Sequence, residues 1–312
     1  MPMTVPDDDA LRHELEPFVE RLLKRHVATA REWAPHDWLP WSRGRDFTGP
    51  GGLAWAPDQS RLAEPVRAAF ELNLLTEDNL PSYHHELLLR VGNTGAWGAW
   101  VRRWTAEEGR HASSLRDYLL LTRAVDPVAL ERDRMATLQA GYAAGGKGLL
   151  RALAYATLQE RATGLAHRNT GKASGDPIAL RLLAHIASDE HRHMAFYRDL
   201  VDAALVLAPR ATRTAIADEV ESFEMPGAGL PDFLRRSVLI ADAGLYDVRM
   251  HRDEVLLPLM SHWRLCDGAD GDGATDDARL RIDAAVDRLN EVALRFEARR
   301  RRRRASHRPA AG

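Results

Sequence analysis

The chain has 312 residues, with 43 basic and 45 acidic side chains giving a net charge of −2 with histidine neutral, so no global charge argues for nucleic-acid binding. One cysteine, Cys266, allows no internal disulfide and no thiolate metal site. Mean hydropathy is −0.37, no stretch has the roughly 18 consecutive apolar residues of a membrane span, and the acidic start (Met1 to Glu16) lacks the apolar core of a secretory signal, so the sequence reads as a cytoplasmic globular protein.

Ala, Leu, Arg and Glu dominate, with only five isoleucines, and no period-2 run of β-branched residues occurs. The fold is expected to be all-α. A first amphipathic helix is predicted over 9–32, followed by an irregular Pro-, Gly- and Trp-rich segment over 34–58. Helical pattern resumes over 61–90 with an interruption at Pro81, then over 96–123 and 127–142. After Gly145-Gly146-Lys147-Gly148, helices are predicted over 149–169 and 177–207, with weaker ones over 210–222 and 231–264. Residues 267–277 are rich in Gly and Asp and are expected to be mobile, and a last helix starts near Asp277. The domain reading is therefore a helical body over 1–266, a loop and C-terminal helix over 267–298, and a basic tail over 299–312 that contains Arg299 to Arg304.

Two helices carry the same local pattern. In Glu107-Glu108-Gly109-Arg110-His111 and in Asp189-Glu190-His191-Arg192-His193, a Glu precedes a His by three residues, which puts both side chains on one helix face. Trp97, Val101, Trp104, Glu108, His111, Leu115 and Tyr118 form an inward stripe at alternating spacings of four and three. Leu183, Ile186, Glu190, His193, Tyr197 and Leu200 form a second. Both Glu-x-x-His pairs therefore face the core, where an unpaired carboxylate costs several kcal/mol against a total stability of about 5–15 kcal/mol. Buried salt bridges to Arg110, Arg161 or Arg192 are one way to offset this. A dinuclear iron or manganese centre is the other, and oxygen and imidazole ligands suit it. Such centres in ferritin-like bundles take a Glu from each of two further helices. Glu160, on the inner stripe Leu153, Thr157, Glu160, and Glu77, in the remaining long helix, are the candidates.

The strings Thr76-Glu77-Asp78-Asn79-Leu80-Pro81, Trp104-Thr105-Ala106-Glu107-Glu108-Gly109-Arg110-His111, Gln159-Glu160-Arg161-Ala162-Thr163 and Asp189-Glu190-His191-Arg192-His193 occur in the order found in the soluble acyl-[acyl-carrier-protein] desaturases. Over about residues 10–265 the chain resembles that stearoyl-ACP desaturase type of plant plastids and actinobacteria. The resemblance implies a ferritin-like di-iron bundle with extra flanking helices, and iron ligands Glu77, Glu108, His111, Glu160, Glu190 and His193. It implies that Glu108 and Glu190 bridge two Fe ions while Glu77 and Glu160 each bind one. Trp33 resembles the family tryptophan that connects through an aspartate, here Asp189, to a ligand histidine, and a carboxylate in that place fixes the imidazole's tautomer. Thr163 resembles the family threonine beside the oxygen-binding face; a hydroxyl bonded back to its own helix is the plainer reading.

The implied function is oxygen-dependent desaturation of a fatty acyl chain on acyl carrier protein, with ferredoxin as electron donor and a homodimeric enzyme. Another ferritin-like di-iron monooxygenase, acting as hydroxylase or N-oxygenase, and a non-enzymatic iron-storage protein are the alternatives. The chain departs from the family at Ser82-Tyr83-His84-His85-Glu86, which is polar where the plant enzymes have apolar cavity residues, and at Gly141 to Gly146. The six arginines at 299–304 form either a solvated tail or a patch that steers an acidic carrier.

Overall fold

A computed structural model describes residues 7–142, 145–230, 232–265 and 273–306, and no strand occurs among them. Helix α1 (Asp8–Thr29) begins at Asp7, whose carboxylate caps the Asp9 amide, with Asp8 and Asp9 in the first turn where the helix dipole favours them. A short α2 (Pro35–Trp38) and two 3-10 turns punctuate the irregular segment that follows. Two helices, α3 (Glu64–Asp78) and α4 (Leu80–Val91), stand where one interrupted helix is predicted. Pro81 lies in the first turn of α4, where its missing N–H is no loss, so it starts a helix as well as ending the pattern before it.

Four more helices follow close to their predicted limits: α5 (Gly95–Leu121), α6 (Pro127–Ala140), α7 (Leu149–Ala173) and α8 (Pro177–Leu207). The outer layer comprises α9 (Pro209–Ser222), α10 (Phe233–Asp242), α11 (Val248–Met250), α12 (Leu257–His262) and α13 (Gly273–Ser306). The weak helical pattern expected over 231–264 resolves into α10, α11 and α12, with a π-helical turn over His251–Leu256. Pro258 explains the turn, because it has no N–H for the carbonyl of Glu254. That carbonyl instead accepts a bond from Arg161 Nε at 2.5 Å. Arg299 to Arg304 continue α13 instead of forming a separate tail; Arg303 pairs with Asp242 at 3.1 Å and Arg300 lies 3.8 Å from Asp247. The expected mobility of 267–277 falls largely on residues outside those described. No helix of the described residues is long and apolar enough to cross a membrane.

Helices α3, α5, α7 and α8 make the central bundle, and α1 packs against α5 and α8. Two apolar clusters fill it. One gathers Leu15, Trp100, Leu153, Leu158 and Leu200; the other gathers Phe70, Leu74, Leu115, Tyr118 and Ile186. A buried polar layer separates them, and α7 and α8 are pressed together beside it. A Cβ added at Gly164 would meet the Glu190 Cβ at 3.1 Å, and one at Gly171 the Leu183 Cβ at 3.1 Å. Glycine at 164 therefore sets how closely Glu190 approaches its neighbours. We expect Gly164→Val to lower stability by about 2 kcal/mol through overpacking and to displace Glu190. Thermal unfolding together with metal content measures it, and a wild-type value for both would contradict the close-packing account.

Candidate metal centre

Each helix of the bundle sends carboxylates into the polar layer because its inward stripe carries Glu in place of an apolar residue. Glu77 comes from α3, Glu108 and His111 from α5, Glu160 from α7, and Glu190 and His193 from α8; all are buried. His111 Nδ1 lies 3.1 Å from Glu108, 3.4 Å from Glu190 and 4.0 Å from Glu77. His193 Nδ1 lies 2.8 Å from Glu108, 3.6 Å from Glu160 and 3.8 Å from Glu190. Two groups of ligand atoms result: Glu77, Glu108, His111, Glu190, and Glu108, Glu160, Glu190, His193. They share Glu108 and Glu190, the arrangement that two adjacent cations need.

The donor atoms fit metals better than they fit one another. Both carboxylate oxygens of Glu190 and one of Glu160 are buried without a hydrogen-bond partner, and the 2.8 Å contact of His193 Nδ1 with Glu108 is not aligned as a hydrogen bond. Orphaned buried polar atoms are rare in native proteins and cost about 1–3 kcal/mol each, more when charged. Burial and the mutual repulsion of neighbouring carboxylates push Glu77 and Glu160 well above the usual carboxylate range. Burial opposes charge on His111 and His193 as well, but Glu108 with Asp189 for the first, and Glu107 with Glu108 for the second, outweigh it and raise both. The cluster thus draws positive charge from whatever source is present, and oxygen and imidazole donors suit iron or manganese.

The outer face of each imidazole rests on a further carboxylate. His111 Nε2 is 3.2 Å from Asp189, which also accepts the Trp33 indole N–H at 2.8 Å and is flanked by Arg110 and Arg192. His193 Nε2 is 2.8 Å from Glu107, whose other partners are His26 at 2.9 Å, Arg103, and Arg110 at 3.8 Å. The sequence reading pointed to Trp33 and Asp189 but missed Glu107 and His26. It also missed His167, whose Nε2 lies 3.1 Å from Glu77. Burial keeps His167 uncharged, down at about 4. Thr163 bonds back to the carbonyls of Gln159 at 3.1 Å and Glu160 at 3.2 Å, yet lines a cavity together with Glu77 and His167.

That cavity, of about 80 Å³, shares Thr76, Glu77 and Pro226 in its lining with a second of about 110 Å³, so both lie against the carboxylate layer. The second cavity is lined further by Tyr83, Tyr142, Tyr155, Glu86, Arg90 and Lys147, so two residues of the departing segment, Tyr83 and Glu86, line it. Glu86 pairs with Arg90 at 2.9 Å, and Lys147 with Glu219 at 2.6 Å.

Residues 8–310 match the sequence model of a fatty acid desaturase family. The chain is 45% identical over 287 residues to the acyl-[acyl-carrier-protein] desaturase DesA1 of Mycobacterium tuberculosis, covering 89% of this chain and 84% of that one. It is 33% identical over 221 residues to the chloroplastic stearoyl-[acyl-carrier-protein] 9-desaturase 6 of Arabidopsis thaliana, covering 64% and 56%. The X-ray structure of the acyl-ACP desaturase DesA2 of Mycobacterium tuberculosis H37Rv superposes with a TM-score of 0.71 at 32% identity, covering 86% of this chain and 99% of that one. An all-helical ferritin-like bundle whose buried layer could hold a metal pair, in a chain matched by the family model almost from end to end, is that of an oxidoreductase: the chain belongs to the fatty acid desaturase family.

Proposed function

We propose that the protein introduces a double bond into a fatty acyl chain carried on acyl carrier protein, using O₂, two irons and electrons from a ferredoxin-type donor, as a homodimer. The observation that carries the reading is the pair of overlapping Glu and His groups, with Glu77, Glu108 and Glu160 lining the cavities beside them. A di-iron group held there supplies the O₂ activation needed to remove hydrogen from an unactivated methylene, which no side chain does alone. In this reading Glu108 and Glu190 hold both irons, Glu77 with His111 one, and Glu160 with His193 the other. Asp189 and Glu107 keep the two imidazoles in the tautomer that presents Nδ1 inward, and Trp33 and His26 orient those carboxylates. The apolar side chains of the cavities align methylenes against the centre and exclude water.

Incubating the reduced enzyme with a ladder of acyl-ACPs and analysing products by mass spectrometry tests the reading. Loss of two hydrogens from one chain length supports it; gain of an oxygen identifies a hydroxylase, and iron uptake with no product a storage protein.

Thr163 supplies a narrower test. The residue lines the cavity beside Glu77 while its hydroxyl is bonded to its own helix. We expect Thr163→Val to keep its iron and fold but release more peroxide per double bond formed. An unchanged ratio of O₂ consumed to product would leave the hydroxyl with only its helix carbonyls.

A further inference from the structure

Two arginines and one exposed glutamate connect the outer carboxylates of the metal centre to the surface. Arg103, Glu107 and Arg110 follow one another at spacings of four and three on α5, so they share one face of that helix. Glu32, in the extended link between α1 and α2, reaches across to this face. Its Oε1 accepts from Arg103 Nη2 at 2.6 Å and its Oε2 from Arg110 Nη1 at 3.0 Å. On the inner side, Arg103 Nη2 lies 2.5 Å from Glu107, and Arg110 Nη2 lies 3.5 Å from Asp189 and 3.8 Å from Glu107. We propose that Glu32 is a positioning residue shared by both metal positions. Its one carboxylate sets how Arg103 and Arg110 divide their charge between the surface and the pair Glu107 and Asp189, and so how firmly these hold His193 and His111. The inference rests on the reading of the buried layer as a metal centre.

Exposure falls steeply along these contacts. The Glu32 side chain is 65% exposed, those of Arg103 and Arg110 are 26% and 19%, and those of Glu107 and Asp189 are 3% and 0%. A charge at position 32 is thus the outermost member of a relay that ends at two buried imidazoles. The Nε groups of both arginines are buried without a hydrogen-bond partner, so the guanidinium groups are fixed at their Nη ends, where the carboxylates hold them. Without a negative charge at position 32, each guanidinium is balanced by its inner carboxylate alone. It then draws that carboxylate away from its imidazole, which becomes a weaker and less firmly oriented donor. The two sides differ in how much else supports them. Arg110 also donates to the Trp33 carbonyl at 3.1 Å, and Asp189 also pairs with Arg192. Arg103 depends more on Glu32, so the position served by His193 should respond more than the one served by His111.

Ferrous iron titrated anaerobically into the full metal-free chain tests this, with near-infrared circular dichroism following the ligand-field bands of each position. Glu32→Gln keeps the shape and removes the charge; Glu32→Lys reverses it and pushes both guanidinium groups inward. Exposed ion pairs contribute little to stability, so both variants should unfold within about 2 °C of wild type. Iron affinity should nevertheless fall about three- to tenfold at both positions in Glu32→Gln and further in Glu32→Lys, less than the loss of an inner carboxylate would cost. The bands of both positions should shift with it. Loss at both positions distinguishes Glu32 from Glu107 and Asp189, each of which touches one ligand imidazole. Wild-type affinity at both positions in the two variants overturns the proposal, and so does a loss confined to one position. A lowered unfolding temperature with unshifted bands also overturns it, because it makes Glu32 a surface ion pair of the fold alone. A wild-type chain that takes up no iron removes the metal-centre reading, and this inference with it.

Discussion

Replacing Glu190 with Ala is expected to reduce iron content to background and to leave no measurable product. Glu190 belongs to both ligand groups, with one oxygen 3.4 Å from His111 Nδ1 and the other 3.8 Å from His193 Nδ1. Its loss opens both metal positions at once and leaves Glu108 alone as the carboxylate common to the two groups. Both of its oxygens are buried without a partner, so they do little for the fold by hydrogen bonding. Far-UV circular dichroism should therefore remain helical, and Glu190→Gln, which keeps the shape, should show the same loss of metal. Two irons per chain with full turnover in either variant would contradict the assignment.

The outer carboxylates give the second large effect. Asp189→Ala strips the acceptor from the Trp33 indole, from His111 Nε2 and from the Arg110 and Arg192 guanidinium groups together. Breaking buried ion pairs from one side costs about 3–5 kcal/mol. Releasing a ligand imidazole from its orienting carboxylate costs about 10–100-fold in metal affinity. Glu107→Ala does the same to His193 and leaves His26 and Arg103 without their shared partner. Because each variant frees one imidazole, each should weaken mainly one of the two metal positions. Stepwise iron titration with thermal unfolding reads both effects. A variant that binds two irons with wild-type affinity would show that the outer carboxylate does not position its histidine.

The four bundle helices and five of the six candidate ligands were legible because one periodicity carries both, while Glu77 was reached as the Glu of the remaining long helix. A seam that alternates four and three with Glu and His among Trp, Leu and Ile leaves those polar groups nowhere to go but inward. Glu107 escaped because it precedes Glu108 by one residue, about 100° around the helix, and so lies off that seam. It is buried only because His26 of α1 and His193 of α8 converge on it from other elements. His26 likewise reads as an ordinary basic residue near the end of an amphipathic helix. His167 carried a signal that was available: Glu160, Thr163 and His167 are spaced three and four apart, on the face that turns toward Glu77. The breaks in the outer layer were hidden for a different reason. Pro258 announces a disturbance, but the π-helical turn before it depends on Arg161 of another helix taking the released Glu254 carbonyl.

A single turnover measures the central claim most directly. Enzyme loaded with iron, reduced chemically and given an acyl-ACP of accepted length is exposed to O₂ once, and the double bonds formed are counted against the iron present. The account predicts one double bond for every two irons, with no oxygen retained in the product. Product formed in proportion to single irons, or an acyl chain that keeps an oxygen atom, would contradict it.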